Sequence, residues 1–126
     1  MLKKVVNGRT LIVIAILIIV ILFGGVGTFV VENAKTRREV SKQLSLGDNF
    51  LEELNYEQAI LAYKKAITID DKSVETYKKL AVAYKANEEI EKAMDTLRKG
   101  YNETNEKSLK DLLAVYEEIQ EHEKQL

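Results

Sequence analysis

The 126-residue sequence contains no cysteine and no proline, and its only histidine is His122. The lack of cysteine excludes disulfide bonds, thiolate metal sites and a cysteine-linked lipid anchor, and it leaves the redox compartment open. The lack of proline fits a chain that is helical nearly throughout, because proline interrupts helix interiors. His122 lies in a charged segment, which predicts a solvated side chain without a catalytic or metal-binding role.

Charge is unevenly distributed along the chain, although the formal net charge is only -1. Residues 1–42 contain seven lysine or arginine residues and two acids, whereas residues 43–126 contain twelve and eighteen. A basic segment beside an apolar run suits anionic lipid headgroups. The acidic remainder argues against a nucleic-acid partner, because nucleic acid requires a concentrated basic face.

One long apolar run follows a basic tail at residues 1–10. Residues 11–31 contain no charge and consist mostly of isoleucine, leucine and valine. About 20 apolar residues in a helix cross a ~30 Å hydrocarbon core, so the run predicts a single transmembrane helix in contact with membrane lipid. A cleaved signal peptide with a cleavage site near residues 25–27 is the alternative. Because the apolar run continues through Val31, the sequence favours the uncleaved anchor.

The orientation of this anchor depends on the lysine and arginine residues on either side of it. Three precede the run and four follow it within residues 35–42, which is close to a tie. The short N-terminal tail favours an N-in, C-out orientation with the remaining chain outside the cytoplasm, and a cytoplasmic orientation is the alternative. Residues 32–39 contain no glycine or proline, so they are expected to form a helical connector after the membrane span.

The pattern of residue sizes in residues 44–105 occurs twice in succession. The matching positions are Leu46, Gly47, Phe50, Tyr56, Ala59 and Tyr63, which correspond to Leu80, Ala81, Tyr84, Ile90, Ala93 and Leu97. Small residues are expected where two helices approach closely, and bulky residues where they fill the space between helices. The spacing of the two copies, about 34 residues, is typical of a helix–turn–helix solenoid. The sequence therefore predicts an all-α protein.

At these positions the sequence resembles the tetratricopeptide repeat (TPR) family, and the resemblance covers roughly half of the chain. It implies two repeats, at about residues 40–73 and 74–105. The departures from the family pattern are Gln43 in place of an aromatic residue, Gly100 in place of an alanine, and Asp71 and Asn105 in place of proline.

Polar residues predict where the helices of the repeats begin and end. Asn55, Ser73 and Asn87 are the predicted N-caps, and Gln58 completes a capping-box spacing with Asn55. Gly100 is predicted to be a left-handed residue past the end of a helix.

A third copy of the pattern begins after a slightly shorter connection and then stops. Its apolar positions are Leu109, Leu112, Leu113 and Tyr116, which correspond to Tyr77, Leu80, Ala81 and Tyr84 of the second copy. Residues 106–126 are predicted to form the solvating cap that a repeat array needs.

The resemblance implies a module that binds a protein or peptide partner on the inner face of the first helix of each repeat, without catalysis, cofactor or metal. Carried over by repeat position, the inner-face residues are Leu44, Asp48, Leu51, Glu52, Lys78, Val82, Lys85, Lys110 and Glu117. The three lysines predict a positive half, and Asp48 with Glu52 predicts a negative half. The alternative is that these side chains are merely solvated.

These features predict a membrane-anchored adaptor that tethers a protein partner. A structural protein whose repeats stack on a second copy is the alternative, because two repeats and a cap fall below the three usually needed for stability. Gly24 and Thr28 form a small-xxx-small pair that would let two membrane helices approach.

Overall fold

The structure is a computed structural model that describes the backbone of residues 7–126 and the side chains of residues 7–19 and 33–126. The regular secondary structure of this part of the chain is entirely helical, which confirms the predicted all-α class. Its five helices are α1 (Gly8–Glu52), α2 (Tyr56–Ile69), α3 (Val74–Ala86), α4 (Ile90–Thr104) and α5 (Lys107–Lys124).

The chain divides into two compact units, Met1–Lys35 and Thr36–Leu126. In the first unit, the residues from Gly8 onward belong to α1, and its described apolar side chains, among them Leu11 and Ile12, are exposed. Among the described residues, the structure contains no helix with the length and apolar character needed to cross a membrane. The structure does not describe the side chains in the second half of the span predicted over residues 11–31, which includes Gly24 and Thr28. Most of the basic tail also lies outside the described residues.

The turn within each repeat has the same backbone geometry in both copies. Leu54 and Glu88 occupy equivalent positions in the two copies, and both adopt the left-handed conformation, with φ of 58° and 62°. Each closes its helix with a Schellman motif, in which two N–H groups donate back to carbonyls of the last turn. The bonds, at 2.8–3.1 Å, run from Leu54 to Leu51, Asn55 to Phe50, Glu88 to Lys85 and Glu89 to Tyr84. The sequence period is therefore also a period of backbone hydrogen bonding.

One predicted N-cap is confirmed and two are corrected. Ser73 precedes α3, and its Oγ accepts a hydrogen bond from the N–H of Thr76 at 3.3 Å. Asn55 precedes α2, but its side chain makes no cap bond because its backbone lies outside the extended region that such a cap requires. Asn87 ends α3 and does not cap α4, which starts after Glu89; the Asn87 amide instead donates to Glu89 Oε1 at 2.6 Å.

The predicted role of Gly100 as a helix terminator is wrong. Gly100 is buried inside α4, and the left-handed residue after this helix is Asn105, with φ of 57°. The N–H of Asn105 donates to the carbonyl of Tyr101 at 2.7 Å. Gly100 is small for a tertiary reason, since a Cβ at this position would lie 2.6 Å from Cγ of Tyr77.

The core of the second unit lies between successive helices, with α3 packed on α2 and α4, and α5 packed on α4. Large and small side chains are matched in it. Gly47 makes room for Tyr63, whose ring a Cβ at position 47 would overlap. The equivalent residues of the second copy, Ala81 and Leu97, are also fully buried. Ala81 is larger than Gly47, and Leu97 is smaller than Tyr63. The volume of the interface is thereby kept similar in both copies.

Candidate functional site

On α1, the predicted inner-face residues lie at the edge of the core. Leu44 and Leu51 are partly buried and pack against it, whereas Glu52 is exposed. Leu44 and Asp48 line a polar cleft of about 450 Å³ between α1 and the start of α3. The charged side chains that also line this cleft are Arg37, Asp70 and Glu75.

Asp48 joins three helices in one hydrogen-bonded network. Its Oδ1 accepts hydrogen bonds from the hydroxyl of Tyr63 on α2 at 2.6 Å and from Nζ of Lys79 on α3 at 2.8 Å. The sequence predicts Asp48 to be a free negative charge and predicts no role for Lys79. The structure instead neutralises Asp48 within the fold, and Lys79 is the residue whose importance the sequence did not signal.

This network shifts the acidities of its members. Burial raises the pKa of Asp48, but hydrogen bonds from Lys79 and Tyr63 favour the carboxylate and outweigh burial, so the pKa of Asp48 is lowered overall. Burial and the hydrogen bond to Asp48 raise the pKa of the Tyr63 phenol. Tyr63 therefore remains a protonated hydrogen-bond donor, and the network holds α1, α2 and α3 together.

The ion pair of Asp48 is expected to stabilise the fold at neutral pH and to lose this effect in acid. Because the folded-state pKa lies below the ordinary value of 3.8, the contribution is present above that value and disappears as the pH falls through the folded-state pKa. We expect wild type to exceed Asp48→Asn in free energy of unfolding by ~0.5–1 kcal/mol at neutral pH, a modest value because the pair is partly exposed and screened. Urea denaturation should show the difference shrinking below about pH 4. A difference independent of pH would contradict this origin.

Among residues 33–126, the three inner-face lysines carry charge that the fold does not pair with an acid. None of the ion pairs in residues 33–126 involves Lys78, Lys85 or Lys110. The Nζ atom of Lys85 lies 5.2 Å from the ring centre of Tyr116, and that of Lys110 lies 5.7 Å from the ring centre of Tyr101. An exposed cation–π contact of this kind contributes ~0.5–1 kcal/mol of attraction. It orients the ammonium group and leaves its charge available to an anion.

The remaining inner-face residues have different surroundings. Val82 is 43% exposed and shares a face of α3 with Lys78 and Lys85, at the spacing of one and two helical turns. Glu117 accepts a hydrogen bond from Arg98 of α4 at 3.2 Å. Within the described part of the chain, no side-chain hydrogen bond or ion pair joins two inner-face residues.

A second cleft, of about 340 Å³, lies between α2, α3 and α4. Its floor includes Ile67, Leu80 and Tyr84, and its rim carries Lys64, Lys92, Lys99 and Asp95. We call it the lysine-rimmed cleft. Leu80 and Tyr84 lie on a different face of α3 from Val82, so the two surfaces are distinct. The sequence did not predict this cleft because its lining residues come from three helices and meet only in the fold.

In the part of the chain that the structure describes, no three acidic or histidine side chains lie close enough together to hold a metal ion. The side chain of His122 is 74% exposed, and its Nε2 lies 4.0 Å from Glu118 on the same helix.

The fold of the second unit is a helical repeat, in which two successive helix–turn–helix copies are followed by α5. Residues 47–88, one third of the chain, match a family model described as TPR repeat, which supports a TPR family protein. No curated protein and no solved structure matches the chain significantly. TPR repeats are typically non-catalytic modules that bind other proteins, so the match suggests a protein–protein interaction module.

Proposed function

We propose that this protein is a membrane-anchored adaptor that binds a protein or peptide partner on its inner-face residues. The observation that carries the proposal is on α3, where Lys78 and Lys85 flank the half-exposed Val82 and neither lysine is paired with an acid in residues 33–126. A surface that keeps cations beside an exposed apolar side chain is suited to an acidic and apolar ligand.

The chemistry of these residues defines the partner segment. Carboxylates of the partner would lie against Lys78, Lys85 and Lys110, and its apolar side chains would contact Val82 and the partly buried leucines of α1. Exposed ionic contacts contribute ~0.2–1 kcal/mol each and are screened by salt. We therefore expect micromolar affinity that weakens as the salt concentration rises.

Reversing two of the inner-face charges is expected to weaken this binding. The partner would be captured with the intact chain from membranes and identified, and its affinity then measured for Lys78→Glu combined with Lys110→Glu. We expect severalfold weaker binding at low salt and a nearly unchanged melting temperature, because Lys110 is exposed and Lys78 is only partly buried. The matched control is Lys65→Glu with Lys107→Glu, which changes the total charge equally at exposed positions outside the inner face. Equal affinities for the two double variants would overturn the proposed surface.

The proposed anchor is supported by the charge-free run at residues 11–31. A ~20-residue apolar helix resists extraction, so the protein should remain in the membrane pellet after a carbonate wash. A soluble form beginning near Thr28 would instead indicate a cleaved signal peptide and would contradict the anchor.

An N-in, C-out orientation is proposed for this anchor. Because the chain has no native cysteine, the thiol of a Ser108→Cys variant would report orientation by itself. We expect a membrane-impermeant maleimide to label it in intact cells. Labelling only after permeabilisation would place the repeats in the cytoplasm.

Self-association of the repeats is the second candidate function. It is favoured by an apolar side chain on α5, Val115, which is 49% exposed in the described structure.

A further inference from the structure

One face of α5 is not covered by the other described helices. Asp111, Val115 and Glu118 lie along it at the spacing of one and two helical turns. Leu109 and Tyr116 occupy the opposite face and are buried. We call the uncovered surface the outer face of α5. Val115 is 49% exposed there, whereas Ala83, its counterpart on α3, is fully buried. The repeat pattern thus places an apolar residue where the fold leaves it in contact with solvent.

The outer face of α5 is acidic. The carboxylates of Asp111 and Glu118 flank Val115 on its two sides along the helix. In the described residues, Asp111 takes part in no ion pair, and Glu118 has only the neighbouring His122, at 4.0 Å. A surface complementary to an apolar side chain between two carboxylates is apolar in the middle and basic at the edges.

The lysine-rimmed cleft has these properties. Its floor is apolar, and Lys64 and Lys99 on its rim are in no ion pair among residues 33–126. The other rim charges are already compensated, since Lys92 pairs with Glu89. Asp95 pairs with Arg98 at 2.8 Å. The uncompensated charge of the rim is therefore positive.

We propose that the outer face of α5 in one copy docks into the lysine-rimmed cleft of a second copy, with Val115 over the apolar floor and its flanking carboxylates against Lys64 and Lys99. The docked helix has to come from another copy, because within one copy the outer face is turned away from the helices that α5 packs on. The two surfaces are different, so two docked copies together still have one free cleft and one free α5, each on a different copy. The contact therefore builds chains or rings of copies and not two-fold symmetric pairs.

This assembly leaves Lys78, Val82 and Lys85 accessible, since they lie on a different face of α3 from the cleft residues. The inference does not rest on the proposed partner binding. Lys78→Glu with Lys110→Glu should leave the assembly intact, so the two proposals fail separately.

Cross-linking between two single-cysteine variants tests the contact in the full-length chain. Because the native sequence lacks cysteine, Thr68→Cys places one thiol at the cleft and Val115→Cys places one on the outer face. The two variants, each carrying a different tag, would be co-expressed in membranes and treated with a short bis-maleimide. We expect a covalent dimer that contains both tags. The control pair is Asn102→Cys, exposed on α4 outside the cleft, with Val115→Cys, for which we expect at least severalfold less product.

Charge reversal distinguishes docking from random collision. Lys64→Glu with Lys99→Glu in the Thr68→Cys copy should lower the mixed dimer at least severalfold. Asp111→Lys with Glu118→Lys in the Val115→Cys copy should restore it, an outcome that damage to the fold would not produce.

Three results would overturn the proposal. One is a yield of cross-linked dimer from Thr68→Cys with Val115→Cys that is no greater than the yield from the control pair. Another is a dimer formed by the Val115→Cys variant alone, which would place α5 against α5. The last is a cross-link from both positions to a different protein, which would identify another occupant for each surface.

Discussion

Replacing Tyr77 with alanine is expected to lower the free energy of unfolding by ~3–5 kcal/mol. The side chain of Tyr77 is fully buried, and its ring packs on Gly100 of α4. Its hydroxyl also donates a hydrogen bond to the carbonyl of Asp71 at 2.9 Å, which connects α3 to the turn before it. Alanine would remove both the ring and this bond and would leave a cavity. Total stabilities of small domains are only ~5–15 kcal/mol, so the variant should unfold at a much lower urea concentration.

Two controls separate the parts of this effect. Tyr77→Phe keeps the ring and loses only the hydrogen bond, and we expect a loss of ~0.5–1.5 kcal/mol. Tyr84→Ala removes a ring of the same size from a partly buried position, so its effect should be smaller than that of Tyr77→Ala. Urea denaturation of the full-length chain in detergent, followed by circular dichroism, measures all three. Equal effects for Tyr77→Ala and Tyr84→Ala would contradict the central position of Tyr77.

Gly100→Ala is expected to destabilise the protein, although helix propensity alone predicts the opposite. Alanine stabilises a helix interior by ~1 kcal/mol relative to glycine. In the fold, however, the added Cβ would lie 2.6 Å from Cγ and 2.9 Å from Cβ of Tyr77. These atoms are at the base of the Tyr77 side chain, so they cannot move away unless α3 moves with them. We expect overpacking to exceed the gain in propensity and to give a net loss of ~1–3 kcal/mol.

The other glycines with described surroundings provide the comparison. Gly47→Ala should also destabilise, because its Cβ would meet the ring of Tyr63, whereas a Cβ at Gly8 meets nothing within 4 Å. Thermal melts of the three variants should show lower melting temperatures for the first two and no change for Gly8→Ala. A higher melting temperature for Gly100→Ala would mean that α3 and α4 separate easily, and it would contradict the close packing described above.

The sequence by itself determined the helical class and the repeat, because both depend on local and periodic properties. The repeating pattern of side-chain sizes is visible without coordinates, and the Schellman turns at Leu54 and Glu88 show the same period in the backbone. Ser73 was also predictable as an N-cap, since its hydrogen bond to the N–H of Thr76 is local in the chain.

Only the tertiary structure decided the roles that depend on distant neighbours. The sequence predicts that Gly100 follows a helix end. The fold shows instead that a glycine is needed there because Tyr77 of another helix packs against it. Asp48 reads as a free surface charge, because Lys79 is distant from it in the chain and reaches it only across the packed helices. The lysine-rimmed cleft likewise has no counterpart in the sequence pattern. Residue spacing specifies which face of a helix a side chain occupies, whereas the packing of the helices decides which side chains meet.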